Sequence, residues 1–223
     1  MLALLIGLWG LDAATPGPGT PQILARHLRG LPAGVEARGH VVEGFRWRDS
    51  NGEFLAVVTE TSQYPSPPSE ECESGSGCKD KEIHGYGYRV DGDSLVAVWH
   101  VQDHVRNCFL DMVADLEKGA PWLSDLDSNG VAEFSFSYTL GCFGDMSERE
   151  LKFIQMEGTS KRVLRGTNNP YGLKSDPQAG KMVIDPSFAA ADRRQRRFAI
   201  QKFRQSQQPW PAWQQAVKPT VGS

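Results

Sequence analysis

Asp125-Leu-Asp-Ser-Asn-Gly-Val-Ala-Glu133, followed directly by Phe134-Ser-Phe-Ser-Tyr138, decides how this chain is read. Oxygen-bearing side chains stand at loop positions one, three, five and nine: Asp125, Asp127, Asn129 and Glu133. Gly130 at position six permits a sharp turn, and the Val131 carbonyl offers a further oxygen. A hard divalent cation takes six to eight oxygens at roughly 2.3–2.6 Å, so this register predicts a calcium loop. The twelfth position, a bidentate glutamate in an EF-hand, is Phe136, and the residues after Glu133 alternate apolar and polar at period two. The loop therefore feeds a strand, as in extracellular β-proteins. The competing reading is a metal-free turn in which Asp and Asn cap backbone amides.

Working outward, strands dominate. Val41 to Arg48 and Glu53 to Thr61 flank Asp49-Ser-Asn-Gly52, an Asn-Gly hairpin signal. Ile83 to Val90 and Leu95 to Gln102 flank Asp91-Gly-Asp93 in a second hairpin. Cys108 to Leu116 reads as a strand, Trp122 to Leu126 enters the calcium loop, and Val131 to Leu140 leaves it. Leu151 to Met156 pairs with Arg162 to Arg165. Pro21 to Leu31 is expected to be a short helix, and Tyr64 to Lys81 a surface loop rich in Pro, Ser and Gly. The predicted class is mainly β (α+β): an antiparallel meander or sandwich. A C-terminal amphipathic helix, started by Asp185-Pro186 and carrying Phe188, Ala191, Phe198, Ala199 and Phe203 on one side, should cover one sheet face. Arg193, Arg194, Arg196, Arg197, Lys202 and Arg204 on that helix are read as its solvated face, not as a phosphate site.

The ends and the cysteines address the compartment. Leu2 to Leu11 is apolar but short of the roughly 20 residues that span a bilayer; Ala13 and Ala14 follow before Pro16-Gly-Pro-Gly19, so residues 1–14 read as an export signal although no Lys or Arg precedes the apolar run. Residues 15–34 form a linker and short helix, 35–206 one β-rich domain, and 207–223 a Pro- and Trp-containing tail. The mature form is expected in the periplasm or outside the cell, with no transmembrane span. Four cysteines admit three pairings, and none shows the Cys-x-x-Cys spacing of zinc or thiol-redox motifs. Cys72 and Cys78 flank Glu-Ser-Gly-Ser-Gly and can close it, which leaves Cys108 with Cys142. Chain entropy assigns roughly 2.4 kcal/mol to the short loop and about 3.8 kcal/mol to the long one, which brackets the calcium loop. With a net charge of −3, nothing in the whole-chain balance argues for nucleic acid or an anionic membrane as partner, and no nucleic acid is expected.

Catalytic sets are sparse. His100 and His104 share a face of an extended strand with Asp103 pointing away, but a zinc site needs a third ligand that the spacing does not name. There is no Gly-x-Ser-x-Gly elbow and no phosphate loop. Glu70-Glu71 lies in a flexible segment, a poor setting for a glycosidase pair.

The segment from Arg106 to Gly166 carries Asn107-Cys108, Asp111, Ala114-Asp115, the run Ser124 to Glu133, Tyr138-Thr-Leu-Gly-Cys142, Gly144-Asp145-Met-Ser147, Leu151-Lys152 and Leu164-Arg-Gly166; Ile184-Asp-Pro-Ser-Phe188 follows near the end. This resembles a family of exported bacterial proteins linked to surface polysaccharide, in particular lipopolysaccharide, biosynthesis; Phe143 and Met146 depart from its pattern. The resemblance implies a cell-envelope context and no catalytic residues. The expectation is an exported, non-catalytic, envelope-associated β-domain with a structural calcium loop, its partner an envelope glycan or envelope protein. The rivals are a glycan-acting enzyme and a carbohydrate-binding module that would expose Trp47, Trp99, Trp210 or Trp213 as one patch.

Overall fold

The alternation of Phe134, Phe136, Tyr138 and Leu140 with Ser135, Ser137 and Thr139 makes one strand two-faced, and the molecule is built around it. The computed structural model describes residues 20–32, 35–73, 77–145, 148–168 and 180–207. The expected export signal and the Trp210 and Trp213 tail lie outside them. Twelve strands are described: β1 Gln22–Arg26, β2 His40–Asp49, β3 Gly52–Glu60, β4 Tyr64–Pro65, β5 Lys79–Asp91, β6 Ser94–Cys108, β7 Asp111–Leu116, β8 Trp122–Ser124, β9 Glu133–Phe143, β10 Glu150–Glu157, β11 Ser160–Thr167 and β12 Met182–Ile184. A 3-10 turn, Pro186–Phe188, precedes helix α1, Arg193–Ser206. All pairings are antiparallel. The first sheet runs β1-β2-β3-β5, with β4 and β6 also along β5; the second runs β12-β11-β10-β9, with β7 and β8 along β9. The fold is mainly β, as the sequence predicts.

Because side chains alternate across a strand, each sheet sends one apolar row inward. Phe45, Trp47, Ala56, Val58, Ile83 and Val101 of the first sheet meet Phe134, Phe136, Tyr138, Ile154 and Met156 of the second in the main core. The opposite face of the second sheet is also covered: Leu151, Phe153 and Leu164 pack under Phe188, Ala191, Ala199 and Phe203. This is the helix-on-sheet packing expected from the tail's periodicity. It buries Ser135, Ser137 and Glu133, a row that alternation alone would leave in water. On the first sheet's outer face Leu28, Leu31, Val35 and Val41 pack over Leu55, Val57 and Tyr88.

Two expectations are corrected. The segment read as a short helix between Pro21 and Leu31 contains β1, whose Ile23 pairs with Trp47 and packs on the core; the free edge of β2 outcompetes a weak helical propensity. The terminal helix does not begin at Asp185-Pro186, where Asp185 caps only the 3-10 turn. Asp192 is the N-cap of α1, joined to Gln195 in a reciprocal capping box.

Disulfides join Cys72 to Cys78 and Cys108 to Cys142, the pairs expected from spacing. The second ties the end of β6 to β9 and so links the two sheets. Among the described residues no helix is long and apolar enough to cross a membrane.

Candidate metal centre

The loop between β8 and β9 is held from three directions. Its own side chains brace it: Asp125 Oδ2 accepts from the Gly130 amide at 3.2 Å, Asp127 Oδ1 from the Asn129 amide at 3.2 Å, and Asn129 Oδ1 from the Val131 amide at 2.7 Å. Such Asx turns are what short acidic side chains do beside a glycine, and Ser128 and Gly130 both take positive φ. The β2–β3 hairpin clamps it from the first sheet, where Ser50 donates to the Gly130 carbonyl through its amide (2.9 Å) and hydroxyl (2.8 Å), and Asp49 accepts from the Ala132 amide. From the other side α1 brings Gln195.

Asp127, Glu133 and Glu157 converge: each offers a carboxylate oxygen, and these oxygens lie within 4.8 Å of one another. Glu157 ends β10 directly opposite Glu133 of β9. Glu133 is fully buried and accepts from the Leu126 amide (2.9 Å) and the Ser124 hydroxyl (3.0 Å). Burial pushes its carboxyl above the ordinary glutamate value, and the nearby Asp127 charge adds to the rise. At Glu157 burial works the same way but is outweighed by hydrogen bonds from Arg162 (2.8 Å) and Asn129 Nδ2 (2.6 Å), which hold it below the usual range.

Gln195 occupies the meeting point. Its Oε1 is committed to the Asp192 amide by the capping box, so the two hydrogens of Nε2 face three carboxylates: Glu133 at 2.8 Å, Asp127 at 3.2 Å and Glu157 at 3.2 Å. Two hydrogens cannot satisfy three acceptors fully. Among the described residues Arg162 is the one cationic side chain bonded to any member of the triad, which leaves two negative charges uncompensated around a buried glutamate. Asp125 Oδ1, in the same loop, is buried without a hydrogen-bond partner. An all-oxygen donor set with a charge deficit of two fits a hard divalent cation, so the triad can hold a metal ion.

Of the residues read as ligands from the loop register, Asp127 and Glu133 are thus brought together, whereas Asp125 and Asn129 spend oxygens on loop amides, and Val131 is placed by its amide on Asn129. Glu157 and Gln195 have no signal in the loop spacing; Gln195 was legible only as the third residue after an N-cap Asp.

Other sequence candidates are scattered. Asp103 points inward to the Tyr138 hydroxyl (3.0 Å) and Lys152, while the exposed His104 stays apart; His100 meets His84, not His104. Glu71 accepts from Asn107 and completes no carboxylate pair. Trp47 is buried, stacked between Phe54 and Phe134, and Trp99 tilts against Phe134, so these two form no exposed sugar-stacking patch. The α1 arginines 193, 196, 197 and 204 are exposed, as a solvated face should be.

Neither a protein-family model nor a curated protein nor a solved structure matches this chain.

Proposed function

We propose that the chain is an extracytoplasmic, disulfide-stapled β-sandwich of the cell envelope in which one calcium ion, held by Asp127, Glu133 and Glu157, fastens the loop to strands β9 and β10 of the second sheet. The observation that carries this reading is the convergence of three carboxylates on a single amide nitrogen, with one guanidinium to offset them. A cation there has a structural task, because the site joins three elements. Calcium is preferred over softer ions because every side-chain donor is oxygen. Two crosslinks fit an oxidising compartment, and the resemblance of the Arg106 to Gly166 segment supports a role connected with surface polysaccharide, with an envelope glycan or envelope protein as partner. Few acidic ligands in an exported module correspond to the weak end of the calcium range, a Kd on the order of 10⁻⁴ to 10⁻³ M.

Calorimetric titration of the oxidised chain with calcium tests the site: one ion per chain in that range is expected, and no heat of binding up to 10 mM calcium would remove it. Binding of purified lipopolysaccharide to the calcium-loaded chain, measured by sedimentation, tests the envelope role separately.

A further inference from the structure

On the outer face of the first sheet, β5 presents Glu82, His84 and Tyr86 in one row, and β6 sets His100 opposite Tyr86. They floor a cleft of about 820 Å³ walled by Arg38, Tyr64 and Arg106. Glu82 is 2% exposed and receives the Tyr64 hydroxyl at 2.6 Å, Arg106 Nη2 at 2.6 Å and Arg38 Nε. Burial alone would raise its carboxyl, but these partners and His84 hold it down at about 2. Glu82 is therefore an acceptor only.

That fact sets both histidine tautomers through the hydrogen-bond network. His84 Nε2, 3.0 Å from Glu82 Oε2, carries the hydrogen; His84 Nδ1 is then a lone pair, and His100 Nε2, 3.0 Å away, must donate to it. His100 is left with an unprotonated Nδ1 that has no partner among the described residues. The two imidazoles are 8° from parallel with centroids 5.3 Å apart. With a 3.0 Å contact between ring nitrogens, that separation means they meet end to end in one plane. A metal ion between them would require them to move apart, so the geometry is that of a proton relay. Tyr86 lies flat on His100 at 4.4 Å and fixes the terminal ring. Desolvation lowers both histidines from their ordinary value, His84 in the buried floor and the more exposed His100 at its rim, which favours the neutral imidazoles that the relay uses.

We infer that this cleft is a catalytic site in which His100 Nδ1 serves as general base for the hydrolysis of a neutral carboxylic ester. His100 takes a proton from water as the water oxygen bonds to the acyl carbon, and the carbonyl electrons move onto oxygen. The acyl carbon–oxygen single bond then breaks, and the His100 imidazolium returns the proton to the departing alkoxide; the products are an acid and an alcohol. His100 bonds no hydroxyl or thiol among the described residues, which is why water is the nucleophile. Arg38 and Arg106 balance Asp80 and Glu82, so the cleft is neutral overall and suits an uncharged substrate. Arg38 and Arg106 line the same cleft as His100, so guanidinium hydrogens not bonded to Asp80, Glu82 or Tyr64 would be the donors for the oxyanion of the transition state. His84 and Glu82 are positioning residues: as His100 becomes cationic, they carry its charge toward a fixed anion. This site faces away from the acidic triad and does not depend on it.

The test uses the full oxidised chain with p-nitrophenyl acetate in chelator. His100 is exposed, so His100→Ala should melt like the parent while losing at least about 100-fold in rate. His84→Gln, with Glu82, Tyr64, Tyr86, Arg38 and Arg106 left in place, should lower the plateau about tenfold and move the acid limb of the pH–rate profile to lower pH, because His100 loses an acceptor that raises its basicity. A parent rate no greater than that of His100→Ala overturns the inference. So does ¹⁵N NMR of the histidine rings showing the hydrogen of His100 on Nδ1.

Discussion

Glu133 and Glu157 face each other across the β9–β10 pair, one carboxylate fully buried and the other half-buried, and among the described residues no cationic side chain bridges them, Arg162 bonding Glu157 alone. Like charges directly opposite in a sheet are destabilising, and here the burial of Glu133 magnifies the effect. Gln195 and Asn129 relieve it with amide hydrogens, and a divalent ion would relieve it further. The expected consequence is a sign reversal. Glu133→Gln should melt higher than the parent in chelator, because burial makes that ionised carboxylate costly, and should lose most of its response to calcium. The parent should gain about 1.4–2.7 kcal/mol at 10 mM calcium for a Kd of 10⁻³ to 10⁻⁴ M, roughly 3–10 °C in Tm. A parent whose Tm is the same in calcium and in chelator would contradict this.

The disulfides should differ in weight. Cys108–Cys142 closes 34 residues and couples the two sheets, whereas Cys72–Cys78 closes 6 in a surface loop. Replacing Cys108 and Cys142 together by Ala should cost about 3.8 kcal/mol against roughly 2.4 kcal/mol for the other pair, read as midpoints of denaturant unfolding. The reverse order would show that the sandwich does not need its inter-sheet tie.

Acid should remove a stabilising contribution of Glu82. Its folded value, about 2, lies below the ordinary glutamate value of 4.5. The unfolded chain therefore binds this proton more readily, and the contribution of Glu82 to stability is complete above about pH 4.5 and lost as pH falls through 2. Glu133 runs the other way: its raised value makes ionisation costly, so its contribution declines as pH rises above its unfolded value. Glu82→Gln should be less stable than the parent at pH 7, and the gap should shrink as pH falls from about 4.5 toward 2. A gap independent of pH in denaturant titrations would assign the loss to packing.

How much of this the sequence carried depends on which distances matter. Hairpins were legible because Asn51-Gly52 and Asp91-Gly92 act within four residues, and the terminal helix because Ala199 and Phe203 repeat at helical spacing. The strand at Ile23 was not, since its conformation is decided by a β2 edge about twenty residues away. The same limit applies to function. Asp127 and Glu133 were found from loop register, but Glu157 joins them only once β10 is aligned on β9, and His84 finds His100 only through the β5–β6 register. A one-residue slip in either pairing would send these side chains to opposite faces. The glycines fit those alignments: Gly85 and Gly87 lie where an added Cβ would collide with Trp99 and Phe136, so the inner side of β5 is shaped for the indole. Gly87→Ala should accordingly cost about 1–3 kcal/mol as an overpacked core position, measured by equilibrium unfolding.

The last expectation separates the two tasks of Gln195. Its Oε1 closes the α1 capping box and its Nε2 bonds the acidic triad. Gln195→Ala removes both, and should cost about 1–3 kcal/mol in chelator, since a buried glutamate loses a donor. Gln195→Glu keeps an oxygen for the cap, and glutamate serves that position equally well, but it adds a fourth carboxylate beside three others. Without metal that variant should be the least stable of the series. With metal the added charge becomes a ligand, so calcium should bind at least tenfold tighter than to the parent, and the melting order in 10 mM calcium should bring Gln195→Glu above Gln195→Ala. Calorimetric affinities that do not tighten on going from Gln to Glu would mean that α1 contributes a cap to the fold and nothing to a cation.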